Sequence, residues 1–515
     1  MENAEEMKAF VESGNAVMGI ELGSTRIKAV VIDDRFRVVA QGAHDWENSL
    51  VDGVWSYSLD DVGEGVRDAF AKCAADVEAK CGAKLERLAA LGVSGMMHGY
   101  LPFDGDGRLL VPFRTWRNVM TADAAAELTD LFKFNIPQRW SIAHYYQAIL
   151  RGESHVGAVR RLTTLAGYVH KCLSGEDVLG VGEASGMFPV DPATCDYNAG
   201  MLAAFDAKAG VSLKGMLPRV LKAGEGAGVL TEEGAKWLDP TGTLKPGALM
   251  APPEGDAGTG MVATNAVAPG TGNVSAGTSV FAMVVLDRPM KGFYPEIDVV
   301  TTPTGREVAM VHCNNCTNEI NAWVRLMEEA GAGRDGENLY ARLFEESLRG
   351  DADCDGVVVV PFLSGEPVAG VPDAMLRVVR RPDSAFTLAN FFRAQIYSAF
   401  VSLRIGMEIL LREGVTMKSL VAHGGMFKTR GVAQRYLADA LRTPVTCLAT
   451  ASEGGPWGMA VLAAYAASGA GVALEDYLAA KVFAAAAGET IPPSDDGAAG
   501  FDRYLENFKT AIVDK

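Results

Sequence analysis

The chain has 515 residues, more than one hydrophobic core ordinarily supports, so two large domains are expected. Its 49% apolar and 22% charged residues are those of a soluble globular protein, with no run near the roughly 20 apolar residues of a membrane helix. A net charge of −17 argues against nucleic acid or an anionic membrane as partner, and leaves any bound phosphate to local cations and amides.

Residues 1–16 are acidic and lack the basic-then-apolar pattern of a signal peptide. They read as an N-terminal extension, a short helix or loose arm, on a cytoplasmic protein. Strands are expected at 17–22, 27–33 and 38–44, an antiparallel meander. A helix at about 59–79 follows, with Val62, Val66, Phe70, Cys73 and Val77 on one face. A short buried strand at 88–93 runs into Ser94 and Gly95, and 100–103 with 109–112 flanks a hairpin turn signal at 104–107. Residues 122–221 read as mostly helical. The second half repeats the opening plan, with a hairpin at 272–275 and 280–286 and strands at 357–361 and 420–422. Its helices are expected at 387–412, 432–441 and 458–467. The fold class is therefore α/β, one domain plan used twice, with 17–264 and 265–515 as the two domains.

The segment GIELGSTRIK at 19–28 is an apolar strand, a tight turn of glycine and hydroxyl residues, and a second strand. Gly23 lets the backbone come close to a ligand, while Ser24 and Thr25 add hydroxyls beside exposed turn amides. Lys28 is near enough to neutralise phosphate charge. Glu21 puts an acid at the strand end, where a magnesium ion and its waters could sit. Downstream stand Gly277, Thr278 and Ser279 in a second hairpin, Gly424, Gly425 and Met426 after the strand at 420–422, and EGDAG at 254–258. Two other motifs are set aside. No GxxxxGK[ST] segment exists, and the GxGxxG of Gly331, Gly333 and Gly336 follows a helix at 321–330 instead of a strand. The eight cysteines are scattered, as for reduced thiols. Cys313 and Cys316 have metal-like spacing without a second pair, so packed thiols at a helix entrance are the preferred reading.

In this order and spacing the motifs resemble the FGGY family of carbohydrate kinases, within the actin, sugar-kinase and Hsp70 superfamily. The resemblance implies two ribonuclease H-like domains with an inter-domain cleft, and ATP and Mg2+ as cofactors. Asp256 matches the family's catalytic aspartate in its Gly-Asp-(Asn/Ala) segment; the alternative is a turn aspartate bonding its own backbone. Asp256 and Glu21 would share the metal, although an aspartate is usual where Glu21 stands. Gly23, Ser24, Thr25, Lys28, Gly277, Thr278 and Ser279 would meet the phosphates. Gly424, Gly425, Met426 and Glu453 would meet the adenosine, with Phe427 beside Met426 as an apolar platform.

SGMMHG at 94–99 resembles the Gly-Gln-Met-His-Gly segment of xylulose kinases, which directs Met97 and His98 to the sugar, with Met96 where glutamine is common. RTWRN at 114–118 resembles the family's Trp-(Asn/Lys)-Asp stretch and adds Trp116, Arg117 and Asn118, the last in place of an aspartate. Trp116 can stack on the apolar face of a sugar, with a core tryptophan as the near alternative. Trp140 would close the site. The expected reaction is ATP-dependent phosphorylation of a ketopentose on its terminal hydroxyl, D-xylulose before L-ribulose. Glu21, Met96 and Asn118 keep L-ribulose, or another sugar or polyol, in play. The rival of another class is a catalytically silent sugar-binding regulator. Expected partners are the sugar and ATP, without nucleic acid or membrane; a homodimer is left open.

Overall fold

The computed structural model describes residues 4–333, 338–448, 454–469 and 471–513. The chain forms two compact units. The first comprises Met1–Val267, Val299–Glu307 and Glu453–Ala485; the second comprises Ala268–Asp298, Val308–Ser452 and Ala486–Lys515.

The first unit is built on a sheet ordered Leu249–Met250, Ala90–Gly95, Val17–Leu22, Arg26–Ile32, Val38–Asp45. The three N-terminal strands pair antiparallel through short turns. Ala90–Gly95 then runs parallel to Val17–Leu22, and Glu254–Gly255 parallel to Ala90–Gly95. A parallel neighbour requires a long crossover, which the 23-residue helix Leu59–Cys81 supplies. Ser58 caps that helix through the Asp61 amide, and Gly82 ends it in the left-handed region. Val62, Val66, Phe70, Cys73 and Val77 are all buried, the face expected from their spacing. Val17–Leu22 reads as a nearly continuous apolar run because both faces of the sheet are covered. The helix Gly454–Ser468 lies against it so closely that a Cβ on Gly19 would overlap the Pro456 carbonyl oxygen.

The second unit repeats the plan around a sheet whose strands include Val280–Val285, Thr271–Ala276, Ser419–His423 and Val445–Leu448, with Gly488–Ile491 added at one edge. Thr271–Ala276 and Ser419–His423 are parallel. Between them in sequence lies the helix Leu388–Arg412, capped by Thr387. Among the described residues it alone is long and apolar enough to match a membrane span, and 83% of its most apolar window is buried inside the protein.

Two expectations differ from this architecture. The domains 17–264 and 265–515 are not contiguous units, because Val299–Glu307 and Glu453–Ala485 group with the first. The hairpin expected over 100–112 is reduced to two bridges, Phe103 to Leu109 and Tyr100 to Arg114. Its turn does form, with Asp104 Oδ1 accepting the Asp106 and Arg108 amides, but Leu101–Phe103 takes Arg161–Thr163 as its strand partner.

Candidate active site

Register places Glu21, Ser94 and Glu254 side by side on three adjacent parallel strands, followed by Leu22, Gly95 and Gly255. The segments leaving these strands therefore emerge at one carboxyl edge of the sheet, where open α/β sheets bind ligands. They carry Gly23 to Thr25, Met96 to Gly99, and Asp256.

The first turn closes with the Gly23 amide donating to the Arg26 carbonyl at 3.0 Å. Trp46 Nε1 donates to the Gly23 carbonyl at 2.8 Å, Tyr57 Oη to the Ser24 carbonyl, and Trp116 Nε1 to Ser24 Oγ at 3.2 Å. The acceptors of the turn are thus held by neighbours. The Ser24 and Thr25 amides, by contrast, have no acceptor among the described residues, which suits an anion. Lys28 stands opposite Glu21 across the hairpin.

Asp256 opens the helix Asp256–Ala263. Its Oδ1 accepts the Ala257 amide at 2.9 Å and the Met97 amide at 3.4 Å. The carboxyl is reachable by solvent, yet the protein around it pushes it up to about 6, against the pull of those amides. Burial pushes Glu21 up to about 7, with the charge of Asp256 adding to the shift and Lys28 opposing it. Two raised carboxyls, one of them pushed up further by the charge of the other, form a place where a proton or a hard cation is favoured.

Two further acids lie behind this pair. Glu254 is buried, accepts the Gly182 and Glu183 amides at 3.3 and 3.0 Å, and is pushed up to about 8 by burial. Glu183 is fully buried, and among the described residues neither carboxyl oxygen has a partner at full hydrogen-bond geometry. Burial holds it well above the usual carboxyl range, and the Thr164 hydroxyl offsets this only in part. A Cβ on Gly255 would lie 2.6 Å from Glu183 Oε2, so a side chain at 255 would collide with this acid. Glu183 escaped the sequence reading because one acid among small residues looks like any solvated helix position.

On the sugar side, His98 is almost fully buried at φ 71°, and its Nδ1 lies 3.0 Å from the Gly186 carbonyl oxygen. A carbonyl only accepts, so Nδ1 carries the proton and Nε2 is left as an acceptor. Burial, then Arg139, lowers the imidazole pKa to about 3, which keeps the ring neutral. Trp140 is fully buried with its ring 6.0 Å from that of His98, and its indole N–H has no acceptor among the described residues. Met97 packs on Gly255, and Gly186 leaves room for both Met97 and His98.

The stretch 116–118 plays a different part from the one expected. Asn118 is spent on backbone: its Nδ2 donates to the carbonyls of Trp55 at 2.9 Å and Thr115 at 3.0 Å, and its Oδ1 accepts the Trp55 amide at 2.9 Å. Arg117 stacks over the Trp55 ring at 4.1 Å and donates to Asn48 Oδ1 at 2.9 Å. Both residues tie the segment to the strand Val54–Ser56, and the two amide hydrogens of Asn118 are spent on backbone carbonyls. Trp116, 38% exposed, sits on the first turn through Ser24.

In the second unit, Gly277, Thr278 and Ser279 form the corresponding turn, with the Gly277 amide donating to the Ser279 carbonyl at 2.9 Å. The Gly277 carbonyl accepts the Thr317 amide and hydroxyl at 3.1 and 2.7 Å, and the Thr278 carbonyl accepts the Cys316 amide at 3.0 Å. The entrance of the helix Thr317–Glu329 thus fixes the turn. Met426, expected beside the nucleoside, is fully buried with its sulfur 3.5 Å from Cys316 Sγ, and Phe427 is nearly as covered. The segment offers Gly424 and Gly425 instead. Gly424 holds φ 111° against the Ala276 carbonyl, and the Cβ direction of Gly425 is empty. Glu453 lies outside the described residues. Burial pushes both the Cys313 and Cys316 thiols up, as for packed thiols, and no cluster of three or more metal-ligating side chains occurs among the described residues.

Sequence models of the FGGY family of carbohydrate kinases match residues 16–241 with the N-terminal domain and 272–467 with the C-terminal domain. The xylulose kinase of Haemophilus influenzae is 22% identical over 375 residues, 70% of this chain and 71% of that protein. The structure of xylulose kinase from Rhodospirillum rubrum superposes with a TM-score of 0.80 at 20% identity, covering 97% of this chain and 98% of that one. Gluconate kinase from Lactobacillus acidophilus gives 0.79 at 16% identity, covering 96% and 97%. Both likenesses establish the two-domain sugar-kinase fold, and the two family matches follow the expected order along the chain, with residues 254–258 falling between them. The chain belongs to the FGGY family of carbohydrate kinases and is a sugar kinase.

Proposed function

We propose that the enzyme transfers the γ-phosphoryl group of ATP to the terminal hydroxyl of a ketopentose, D-xylulose before others. The observation that carries this reading is the shared sheet edge that presents Asp256, the acceptor face of His98 and the open amides of Ser24 and Thr25 together. Asp256 takes the hydroxyl proton late, as the phosphoryl group transfers. His98 Nε2 accepts from one sugar hydroxyl, and the unpaired Trp140 N–H donates to another, so a polyhydroxyl ligand satisfies both.

The donor set fits Mg2+, since Glu21 and Asp256 offer hard oxygens whose mutual repulsion a cation relieves. Bound there, the ion would neutralise phosphate charge. Gly277, Thr278 and Ser279, with Gly424 and Gly425, are the second unit's share of ATP binding in this proposal. All eight cysteines are unbonded, in keeping with the cytoplasmic setting proposed for the enzyme.

The preference for D-xylulose is supported by the xylulose kinases among the relatives. It gains from Asn118 as well, because a residue committed to the Trp55 backbone has little left to tell one ketose from another. The test is ADP release with Mg-ATP across D-xylulose, L-ribulose, D-ribulose, L-xylulose, glycerol and gluconate. Turnover confined to D-xylulose is expected. Turnover on L-ribulose instead would move the assignment, and silence with ATP still bound would favour a sugar-binding regulator.

A further inference from the structure

The helix Thr317–Glu329 begins without a side-chain cap, because Cys316 at its N-cap makes no such bond and its thiol packs against Met426. Amides at a helix entrance have no partner within the helix. Here those of Cys316 and Thr317 hold the Thr278 and Gly277 carbonyls, while the Thr278 and Ser279 amides have no acceptor among the described residues. Glu366 holds the entrance itself. Its side chain is fully buried, and its loop is closed by the Val371 amide donating to the Glu366 carbonyl at 3.1 Å. Glu366 Oε1 accepts the Asn314 amide at 3.3 Å, and Oε2 accepts the Asn315 amide at 3.2 Å and Asn315 Nδ2 at 3.1 Å. Asn314 Nδ2 also donates to the Gly365 carbonyl at 2.8 Å, and Asn315 Oδ1 accepts the Ser364 amide at 3.2 Å.

Four consecutive amides are therefore shared out, 314 and 315 to the carboxylate, 316 and 317 to the turn. Burial raises the carboxyl, the Asn315 carboxamide and the two amides draw it back, and no cation among the described residues contributes. A carboxylate buried on neutral donors is costly, and an apolar side chain would fill the space without that cost. We propose that Glu366 is a positioning residue for ATP: it fixes 314–317, these fix the turn, and the Thr278 and Ser279 amides are kept free for phosphate. This rests on the reading that Gly277, Thr278 and Ser279 meet the phosphates.

Glutamine at 366 keeps the size but turns an NH2 group toward an N–H donor. In calorimetry of the whole chain, Glu366→Gln should weaken Mg-ATP about tenfold or more and leave adenosine unchanged, since the turn meets phosphates alone. Thr317→Val removes the hydroxyl that the Gly277 carbonyl accepts and should act likewise. The double variant should lose less than the product of the two effects, because both work through one turn. If Glu366→Gln does not fold, Asn315→Ala, which removes the side-chain donor to the same carboxylate, should weaken Mg-ATP alone in the same direction. Equal losses for Mg-ATP and adenosine with a lowered thermal midpoint would make Glu366 a merely structural residue and overturn the proposal. Gly277→Val separates the two readings, because a Cβ there meets only the Ser279 carbonyl oxygen at 4.0 Å. If it leaves Mg-ATP binding intact, the turn does not meet phosphate and both readings fall. If it weakens Mg-ATP while Glu366→Gln and Asn315→Ala do not, only the role of Glu366 falls.

Discussion

Asp256 is held between two opposing influences, amides that favour its charge and surrounding protein that disfavours it. A base must be unprotonated, and a carboxyl raised to about 6 is increasingly protonated below that pH. The kcat/KM for the sugar should therefore be flat above about pH 6 and fall about tenfold per unit below it, with a bound cation drawing the inflection lower. Asp256→Asn should lose about 100- to 10,000-fold in kcat while calorimetry still shows ATP binding; near-normal turnover would remove Asp256 from its role. His98 allows a finer separation, because its two nitrogens do different work. Asparagine can reproduce the donor toward Gly186 but not the acceptor beyond it, while glutamine reaches the acceptor position. His98→Ala and His98→Asn should both raise the sugar KM about tenfold or more and leave the KM for ATP unchanged, with His98→Gln recovering part of the loss. Full recovery by asparagine would make His98 a positioning residue for Gly186 alone.

At the scale of elements, the helix Gly454–Ser468 does more than cover the sheet. A Cβ on Gly458 would overlap the Thr259 carbonyl in the helix Asp256–Ala263, whose first residue is the proposed base. Gly458→Ala should therefore cost about 1–3 kcal/mol of stability and lower kcat as well, since relief of the overlap displaces Asp256. Thermal unfolding and kinetics on the same preparation check this; a loss of stability with kcat intact would uncouple the two helices. What the sequence revealed follows the same division between local and distant. The strand at 17–22, the helix face from Val62 to Val77 and both glycine-hydroxyl hairpin turns were legible because their signals lie within a few residues of each other. Asn118 misled because the residue type resembles the family's aspartate while its hydrogen bonds go to Trp55, 63 positions away. Met426 misled likewise, since burial against Cys316 is a tertiary fact. Glycines 19 and 458 gave no hint of the helix packing that demands them.

For the molecule as a whole, the chain's path argues against two independently folding halves. The first unit takes most of its residues from Met1–Val267, but the helix covering Val17–Leu22 and Ala90–Gly95 arrives only with Glu453–Ala485. Without that helix, the face of the central strands that receives Pro456, Met459 and Ala460 lies open to water. The uncovered area includes backbone packed too closely for solvent to replace without rearrangement. The stretch Val299–Glu307 is needed too: the Thr301 amide donates to Ser185 Oγ and its hydroxyl to the Val181 carbonyl, both at 3.0 Å, beside the buried Glu183. A fragment of residues 1–267 should therefore aggregate or melt without a cooperative transition, although it contains Glu21, His98 and Asp256. Appending residues 454–485 through a flexible linker should restore a cooperative transition, because it returns the covering helix to its own unit. Calorimetry of the two fragments reads this directly, and a sharp transition in the shorter one would show that the N-terminal segment completes its core unaided.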